Sequence, residues 1–349
     1  MGTPYADPMP PDLAHAEGPG GSGGLGWSRR RIPDVVAIML WIVVAALALV
    51  AVLRMVAWDA LSPLAILNAL TVVLYLPAWP IAVVGALGRR PVLAAAALAV
   101  GIAQLVFLAP ELTATQPLPA WTAHAPTFTL LDANVYFENP SMSGYVQQIR
   151  QVRPDVVTLE ECTPNDFAQL QVGGALTGLP YRFEVYGTDP FIFCIASRYP
   201  LSNTRVERLG EHPLAVETVL ALPSGPQPLW VVHTIAPLSI SFTAWRAQLT
   251  QIDRLVRARG TDRLLLVGDF NATWNNQGFR QILSSGLVDA AAARGQALTM
   301  TWSQTMSPIP PLLRMDHLLT GTGVAVMRLA VDHGPGSDHR DLVATVATR

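Results

Sequence analysis

The first third of the chain contains long apolar stretches, whereas the remainder contains short apolar runs. The long stretches lie at residues 35–53, 61–87 and 92–109, and each has about the 20 residues that a membrane helix needs. No polar face interrupts them, so they predict three transmembrane helices. The alternative is three buried helices of a soluble core. Three prolines predict a kink in the second helix: Pro63, Pro77 and Pro80.

Short apolar runs after residue 123 predict the strands of a globular domain. They lie at residues 128–133, 156–159, 191–196, 230–232, 264–267 and 342–346. Residues 145–152 and 242–259 have one apolar face each, which predicts amphipathic helices. This mixture indicates an α+β domain in which layers of sheet and helix pack together.

The placement of arginine predicts the orientation of the transmembrane helices. Arg29–Arg31 precede the first apolar stretch and Arg89–Arg90 separate the second from the third, while the other flanks carry only Arg54. Cytoplasmic loops carry the excess of positive charge, so we expect the N-terminus inside and everything after the third helix outside. Four parts follow in order: a disordered cytoplasmic tail (1–31), three transmembrane helices (32–109), a linker (110–123) and a globular domain (124–349).

Composition supports a membrane region and disfavours a nucleic-acid partner. Hydrophobic residues make up 51% of the chain, and the mean hydropathy of +0.34 is high for a purely soluble protein. The formal net charge is −2, and all 23 basic residues are arginine. After residue 120 there are 17 arginines and 19 acidic residues, with no cationic run. Nucleic-acid binding normally needs a basic stripe, so such a substrate is not favoured.

Polar side chains stand where several predicted strands end. In the segment 264–273, four apolar residues and Gly268 precede Asp269 and Asn271. Residues two apart on a strand share a face, so this carboxylate and this amide can enter one cleft and act on a water and a phosphoryl oxygen. The alternative is a strand that ends in an Asx-turn. Five other segments have a similar form: 130–134, 154–161, 231–234, 315–319 and 336–340.

Together these six segments resemble the endonuclease/exonuclease/phosphatase superfamily. The most specific motifs are GDFNA at 268–272, SDH at 337–339, and PDVV followed by glutamate within 154–161. The resemblance covers residues 124–349. It implies a two-sheet β-sandwich flanked by helices, with catalytic loops at one end, and it implies hydrolysis of phosphate esters.

The resemblance also implies roles for eight residues. Those implied as catalytic are His233, Asp269, Asn271, Asp316 and His339. Those implied to support a metal ion are Asn134, Glu161 and Asp338. In this scheme Asp269 orients or deprotonates water, and Asn271 and His233 contact the phosphate. Asp316 pairs with His339 and orients its imidazole.

A divalent cation is the expected cofactor. Mg²⁺ prefers one or two carboxylates together with substrate phosphate and water, which makes Mg²⁺, or Mn²⁺ in its place, the predicted metal. Glu160 occupies a position where the superfamily more often has glutamine, so the sequence leaves open whether Glu160 or Glu161 binds the metal. Cys162 and Cys194 also leave two alternatives, a disulfide in an outward-facing domain or two buried free thiols.

These patterns predict a membrane-anchored phosphoesterase that hydrolyses a phosphomonoester or phosphodiester outside the cytoplasm. Its expected partners are this substrate and the lipid bilayer; no protein partner is indicated. A lipid-linked phosphate explains the anchor most directly, and a soluble phosphate ester is an equal alternative. One alternative is an extracytoplasmic nuclease. Another, of a different class, is a non-catalytic membrane scaffold or sensor. All eight residues with implied roles are present, which argues against the scaffold. An inactive member of the superfamily is expected to have lost at least one of them.

Overall fold

A computed structural model describes residues 1–2, 32–185, 192–209, 212–238, 240–305 and 308–349 of the chain. The predicted cytoplasmic tail lies outside the described residues apart from Met1 and Gly2. Arg29–Arg31, on which the predicted orientation partly depends, also lie outside them.

Five helices form the N-terminal apolar region within the described residues. They are α1 (Asp34–Ala57), α2 (Ser62–Ala69), α3 (Thr71–Leu74), α4 (Ala78–Leu87) and α5 (Pro91–Leu112). Helices α1 and α5 are long and apolar enough to cross a membrane, and a third crossing exists if α2 and the helices after it count as one bent span. Apolar side chains such as Ile42, Met55 and Val106 remain exposed on these helices, which indicates an apolar environment or partner.

The second apolar stretch is broken, and its main bend does not coincide with a proline. Helix α2 and the helices after it meet at 72°, next to Leu70. The Thr71 hydroxyl donates to Asn68 O at 2.5 Å, and the Gln104 amide of α5 donates to the carbonyls of Thr71 (3.2 Å) and Val72 (2.9 Å). The bend is held by these side chains, which satisfy backbone groups that the break leaves without a helical partner.

The remainder of the described chain forms two six-stranded sheets. Their strands are β1 (Thr127–Asn134), β2 (Val156–Glu160), β3 (Tyr181–Val185), β4 (Phe193–Ser197), β5 (Leu201–Leu209), β6 (His212–Leu222), β7 (Gly225–His233), β8 (Leu265–Asp269), β9 (Val288–Asp289), β10 (Asp316–Thr320), β11 (Val324–His333) and β12 (Arg340–Thr348). The first sheet has the order β11-β12-β1-β2-β4-β3 and the second has β5-β6-β7-β8-β10-β9. Each has one parallel pair at its centre, β1–β2 and β7–β8.

Three apolar layers hold the sandwich together. Residues such as Leu130, Ile195 and Val267 form the core between the sheets. Helices pack on the outer faces: α6 (Ser143–Val152) and α7 (Pro164–Val172) on the first sheet, and α8 (Phe242–Arg259) and α9 (Gln277–Leu283) on the second. A short helix, α10 (Ala290–Ala293), follows β9. The predicted sandwich of two sheets flanked by helices is confirmed.

The apolar helices contact the sandwich through buried polar groups. Asp59, between α1 and α2, accepts hydrogen bonds from the Asn276 side chain at 3.2 Å and from the Gln277 backbone at 2.6 Å. At the end of α5, Glu111 forms an ion pair with Arg314 at 2.5 Å. Such contacts fix the position of the helices relative to the sandwich, because an unpartnered buried polar group is costly.

The predicted linker at 110–123 is partly helical and lies on the sandwich. Helix α5 continues through Pro110 to Leu112, where the pairing of Glu111 holds its last turn, and a 3₁₀ turn follows at Ala120–His124. The Gln116 backbone N–H donates to Ala293 O at 3.1 Å. Contacts of Glu111 and Gln116 thus hold this segment on the sandwich.

The two cysteines are joined in a disulfide. Cys162 directly follows β2 and Cys194 lies on the antiparallel neighbour β4, which brings their Cα atoms to 6.0 Å. The pair is buried, so the alternative of two free thiols is not what the structure contains. The bond ties the segment after Glu161 to the first sheet.

Candidate active site

The alternation of side chains along the strands brings polar residues to one end of the space between the sheets. On β8, Leu265 and Val267 belong to the core between the sheets, and Asp269 follows on the same face. The same alternation places polar residues at the ends of β1, β2, β7 and β10: Asn134, Glu160, His233 and Asp316. Each of these strands therefore contributes an inward polar side chain at one of its termini, next to apolar residues that pack in the core.

Gly268 permits the close contact between β7 and β8 just before Asp269. Its φ is +130°, and a Cβ atom at this position would collide with the carbonyl oxygen of Val232. In the resulting register Asp269 lies opposite His233 on β7 and opposite Asp316 on β10. The glycine thus sets the carboxylate between two other candidate residues.

Asn271 holds Asp269 through a turn. Its backbone N–H donates to Asp269 Oδ1 at 2.7 Å, and its side-chain amide donates to Asp269 Oδ2 at 3.1 Å and to Thr234 O at 2.7 Å. The Asx-turn and the shared cleft, which the sequence left as alternatives, are both present. The amide of Asn271 is directed at these acceptors, so a contact with phosphate would require it to turn.

Glu161, rather than Glu160, faces the cluster. Glu161 has a φ of +55°, a strained conformation for a residue with a side chain, and this turns its carboxylate toward Asn134, whose amide donates to Glu161 Oε1 at 3.0 Å and to Asp269 Oδ2 at 3.2 Å. The Phe137 backbone N–H donates to Glu161 Oε2 at 3.1 Å. The amide nitrogen of Asn134, and not its oxygen, thus faces these carboxylates.

Glu160 forms a buried pair with Asp132 between the sheets. Neither carboxyl oxygen of Glu160 has a donor among the described residues, and Asp132 accepts a hydrogen bond from the Thr158 hydroxyl at 2.6 Å. Burial raises the pKa of Glu160 well above its usual range, with a further contribution from the Asp132 charge, and burial raises the pKa of Asp132 to about 7. Burial, with the repulsion between the two adjacent carboxylates adding to it, thus favours the protonated forms of this pair.

His339 is paired with Asp316 and faces Asp269. Its Nδ1 lies 3.0 and 3.1 Å from the two oxygens of Asp316, and its Nε2 lies 3.7 Å from Asp269 Oδ2. Burial alone lowers the pKa of His339, but the Asp316 and Asp269 carboxylates outweigh it and raise the pKa to about 10. Ser337 fixes the loop by donating to Asn134 O at 2.7 Å and accepting from the His339 backbone at 3.0 Å. The imidazole is therefore held as a cation.

His233 also lies beside Asp269, and its charge differs from that of His339. Its Nε2 is 3.4 Å from Glu161 Oε1 and 3.8 Å from Asp269 Oδ2. Burial lowers the pKa of His233, and the charge of Glu161 offsets this only in part. A neutral imidazole beside Glu161 and a cationic one beside Asp316 thus both face Asp269, and each offers a donor to a bound anion.

Asp338 does not join the other residues predicted at the metal. Its Oδ2 accepts a hydrogen bond from the Trp302 indole N–H at 2.8 Å. Within the described ranges it forms no hydrogen bond or ion pair with Asn134 or Glu161. Trp302 thus orients Asp338, and no pattern in the sequence marks this role.

A buried charge network behind the site was missed by the sequence analysis. Arg314 pairs with Glu111 at 2.5 Å and with Asp289 at 2.8 Å, and Asp289 also lies 2.8 Å from His317 Nδ1. His317 Nε2 contacts Ala272 O at 2.9 Å, next to the Asn271 turn. His317 is buried in this network and has a structural role. The network supports the start of β10, where Asp316 lies.

The carboxylate oxygens around Asp269 suit a hard divalent cation, and two sets of residues are candidates to bind it. Ligand atoms of Asp269, Asp316 and His339 lie within 4.8 Å of one another. However, both Asp316 oxygens already contact a cationic His339, which has no lone pair for a metal. The Glu161 carboxylate beside Asp269 is the better candidate, because carboxylate oxygens are the ligands that Mg²⁺ prefers. Its side chain is 14% exposed, so it is reachable from solvent.

A fold of two mixed sheets flanked by helices, with carboxylates and histidines gathered at one end, defines a class of phosphoester hydrolases. The chain belongs to the Endonuclease/Exonuclease/phosphatase family, whose sequence profile matches residues 133–339. Members of this family hydrolyse phosphate esters. A comparison with curated proteins found no match.

Solved structures with the same fold include three that are 15–17% identical to this chain. TDP2 from D. rerio, complexed with a single-strand DNA product, is 16% identical with a TM-score of 0.53 and covers 64% of this chain and 99% of its own. A family protein from Beutenbergia cavernae is 17% identical with a TM-score of 0.50, covering 64% and 72%. One from Bacteroides thetaiotaomicron is 15% identical with a TM-score of 0.51, covering 65% and 99%. At these identities the likeness shows the fold alone.

Proposed function

We propose that the protein is a membrane-anchored, divalent-metal-dependent phosphoesterase that acts on a phosphomonoester or phosphodiester outside the cytoplasm. The observation that carries the proposal is the convergence of three groups at one point. The His339–Asp316 pair, the neutral His233 and the Glu161 carboxylate all lie around Asp269. This is the combination of base, donors and oxygen ligands that hydrolysis of a phosphate ester requires.

Each of these side chains has a task in the proposed reaction. Asp269, with its raised pKa, accepts a proton from the attacking water. The His339 cation stabilises the negative charge that develops on the phosphate, and His233 donates Nε2–H to another phosphate oxygen. Asn134 and Asn271 keep the carboxylates in place. Glu161 would hold a divalent cation beside Asp269, and such a cation would further polarise the phosphate.

A membrane anchor with the domain outside the cytoplasm is the second part of the proposal. Helices α1 and α5, with the bent pair between them, provide three crossings, and Arg89 and Arg90 lie between the second and third. The Cys162–Cys194 disulfide suits an oxidising compartment. In this proposal the chain comprises a cytoplasmic tail (1–31), the spans (32–109), a linker (110–123) and the catalytic domain (124–349).

A lipid-linked phosphate ester is the substrate we favour, because the apolar helices pack directly on the domain. An extracytoplasmic nuclease is the alternative, because TDP2, which has the same fold, is found in a complex with a single-strand DNA product. Against it, the domain has 17 arginines and 19 acidic residues without a cationic run.

A substrate panel with and without chelator tests the enzyme proposal. The full-length chain in detergent is assayed with bis-nitrophenyl phosphate, plasmid DNA, phospholipids and inositol phosphates in Mg²⁺ or Mn²⁺. We expect metal-dependent hydrolysis of the generic diester and of a phospholipid, and loss of both in EDTA. Hydrolysis that persists in excess EDTA would contradict the metal, and no turnover of any ester would favour the scaffold. Turnover of DNA alone would favour the nuclease.

Reporter fusions test the orientation independently of catalysis. A phosphatase reporter that works only outside the cytoplasm, fused after Arg349, is expected to be active, and a cytoplasm-only reporter at the same place inactive. Fusions after Arg90, between the second and third spans, serve as the matched control and should give the reverse pattern. The opposite result at Arg349 would place the domain in the cytoplasm.

A further inference from the structure

A cavity of about 320 Å³ lies where the apolar helices meet the sandwich, away from the catalytic cluster. Its walls combine two arginines with apolar groups: Arg54, Arg280, Met55, Val106, Phe107 and Pro110. Arg54 and Met55 belong to the last turn of α1, Val106 to Pro110 lie near the end of α5, and Arg280 projects from α9 of the sandwich. The cavity is therefore cationic on one side and apolar on the other.

Arg54 is a buried cation whose partners are neutral. Its guanidinium donates to the Thr71 hydroxyl at 2.8 Å and to Asn275 Oδ1 at 3.0 Å, and its Cζ lies 4.5 Å from the centre of the Phe107 ring. The residue is 6% exposed. Among the described residues no carboxylate lies within ion-pair distance of it. Asp59 attracts Arg54 only from beyond ion-pair distance. A buried charge without a counter-charge in contact is costly, so the site favours an added anion.

The carboxylates in the neighbourhood are already engaged elsewhere. Asp59 accepts hydrogen bonds from Asn68 at 2.7 Å and from Gln277 at 2.6 Å, and Glu111 pairs with Arg314. Arg280, the second cation of the cavity, is half-buried and lies over the Trp274 ring at 5.6 Å, with no ion pair within the described part of the chain. Asp59 and Glu111 attract these arginines from a distance, so within the described chain two cations face the cavity without an acidic partner in contact.

The position of the cavity indicates that the anion belongs to a membrane lipid. It lies at the ends of α1 and α5 that are remote from Arg89 and Arg90, which under the proposed orientation is the level of the outer-leaflet head groups. We propose that it binds the phosphate head group of an anionic membrane lipid. Arg54 and Arg280 contact the phosphate oxygens. Met55, Val106 and Phe107 contact the start of the acyl chains. This site is separate from catalysis and rests on the proposed membrane placement.

Native mass spectrometry of the full-length chain in detergent tests the proposal directly. The probes are dioleoyl phosphatidylglycerol, dioleoyl phosphatidylcholine and inorganic phosphate, and the variants are Arg54→Gln and Arg280→Gln. Arg150→Gln, an exposed arginine of α6, is the matched control. We expect the wild type and the control to retain phosphatidylglycerol in preference to phosphatidylcholine. Each cavity variant should weaken this retention on the order of ten-fold to a hundred-fold, the effect of losing one hydrogen bond to a charged group.

The possible outcomes separate the proposal from its alternatives. Equal retention of the two lipids, or unchanged retention in folded Arg280→Gln, would overturn it; because Arg280 is only half-buried, this variant decides the case even if Arg54→Gln fails to fold. Displacement of the lipid by inorganic phosphate at equal concentration would show a site for a soluble anion and overturn the assignment to lipid. Binding is measured without turnover, so a failed hydrolysis assay leaves this result intact.

Discussion

Replacement of Asp269 by asparagine is expected to lower kcat by a factor on the order of 10² to 10⁴, the usual contribution of a positioned acid or base. Asp269 is fully buried between His233 and His339, and burial raises its pKa to about 8, with the cation of His339 opposing and Asp316 adding to the shift. A carboxylate with a raised pKa accepts a proton from water more readily, whereas an amide cannot accept it. The steady-state kcat on bis-nitrophenyl phosphate measures the effect.

The same substitution at the other end of β8 provides the matched control. Asp262 is exposed in the turn before this strand, where it accepts a hydrogen bond from Thr322, and Asp262→Asn is expected to keep wild-type kcat. Asparagine at 269 retains the volume of the side chain, so the melting temperature should change little. A folded Asp269→Asn protein with wild-type kcat would remove Asp269 from the chemistry.

The central strands were predictable because burial on both faces leaves a continuous apolar run in the sequence. The predicted runs 156–159 and 342–346 lie inside β2 and β12. The edge strand β5 (Leu201–Leu209) has mostly exposed or half-buried side chains, including Ser202, Asn203 and Arg205, so no apolar run marks it. Its position depends on pairing with β6 and cannot be read from its own residues.

The candidate site could be located from the sequence because polar residues stand directly beside apolar runs at the termini of several strands. Asp269 is the last residue of β8 and Asp316 is the first of β10, and the structure places them opposite each other. The supporting contacts could not be predicted in this way. Glu111 and Arg314 are separated by 203 positions, and only the packing of α5 on the sandwich brings them together. The left-handed turn at Glu161, which decides between two adjacent glutamates, is likewise a property of the folded backbone.

Replacement of His339 by alanine is expected to reduce kcat by a factor on the order of 10² to 10⁴. The variant removes the only imidazole that contacts both Asp316 and Asp269 within the described chain, and with it the cation that faces the phosphate. His333→Ala is the control, because His333 is exposed at the end of β11 and its ring has no predicted role. Normal turnover by a folded His339→Ala protein would contradict the assignment of the site.

Asp316→Asn should have a smaller effect and a different dependence on pH. The carboxylate of Asp316 is the main group that raises the pKa of His339 against the effect of burial, so a neutral amide would lower that pKa from about 10. His339 would then lose its charge at a lower pH, and the alkaline limb of the kcat profile should move toward neutral pH. The double variant should be about as slow as His339→Ala alone, since residues that act as a unit are not additive. Multiplicative losses, or an unmoved alkaline limb in Asp316→Asn, would show that the carboxylate does not act through the imidazole.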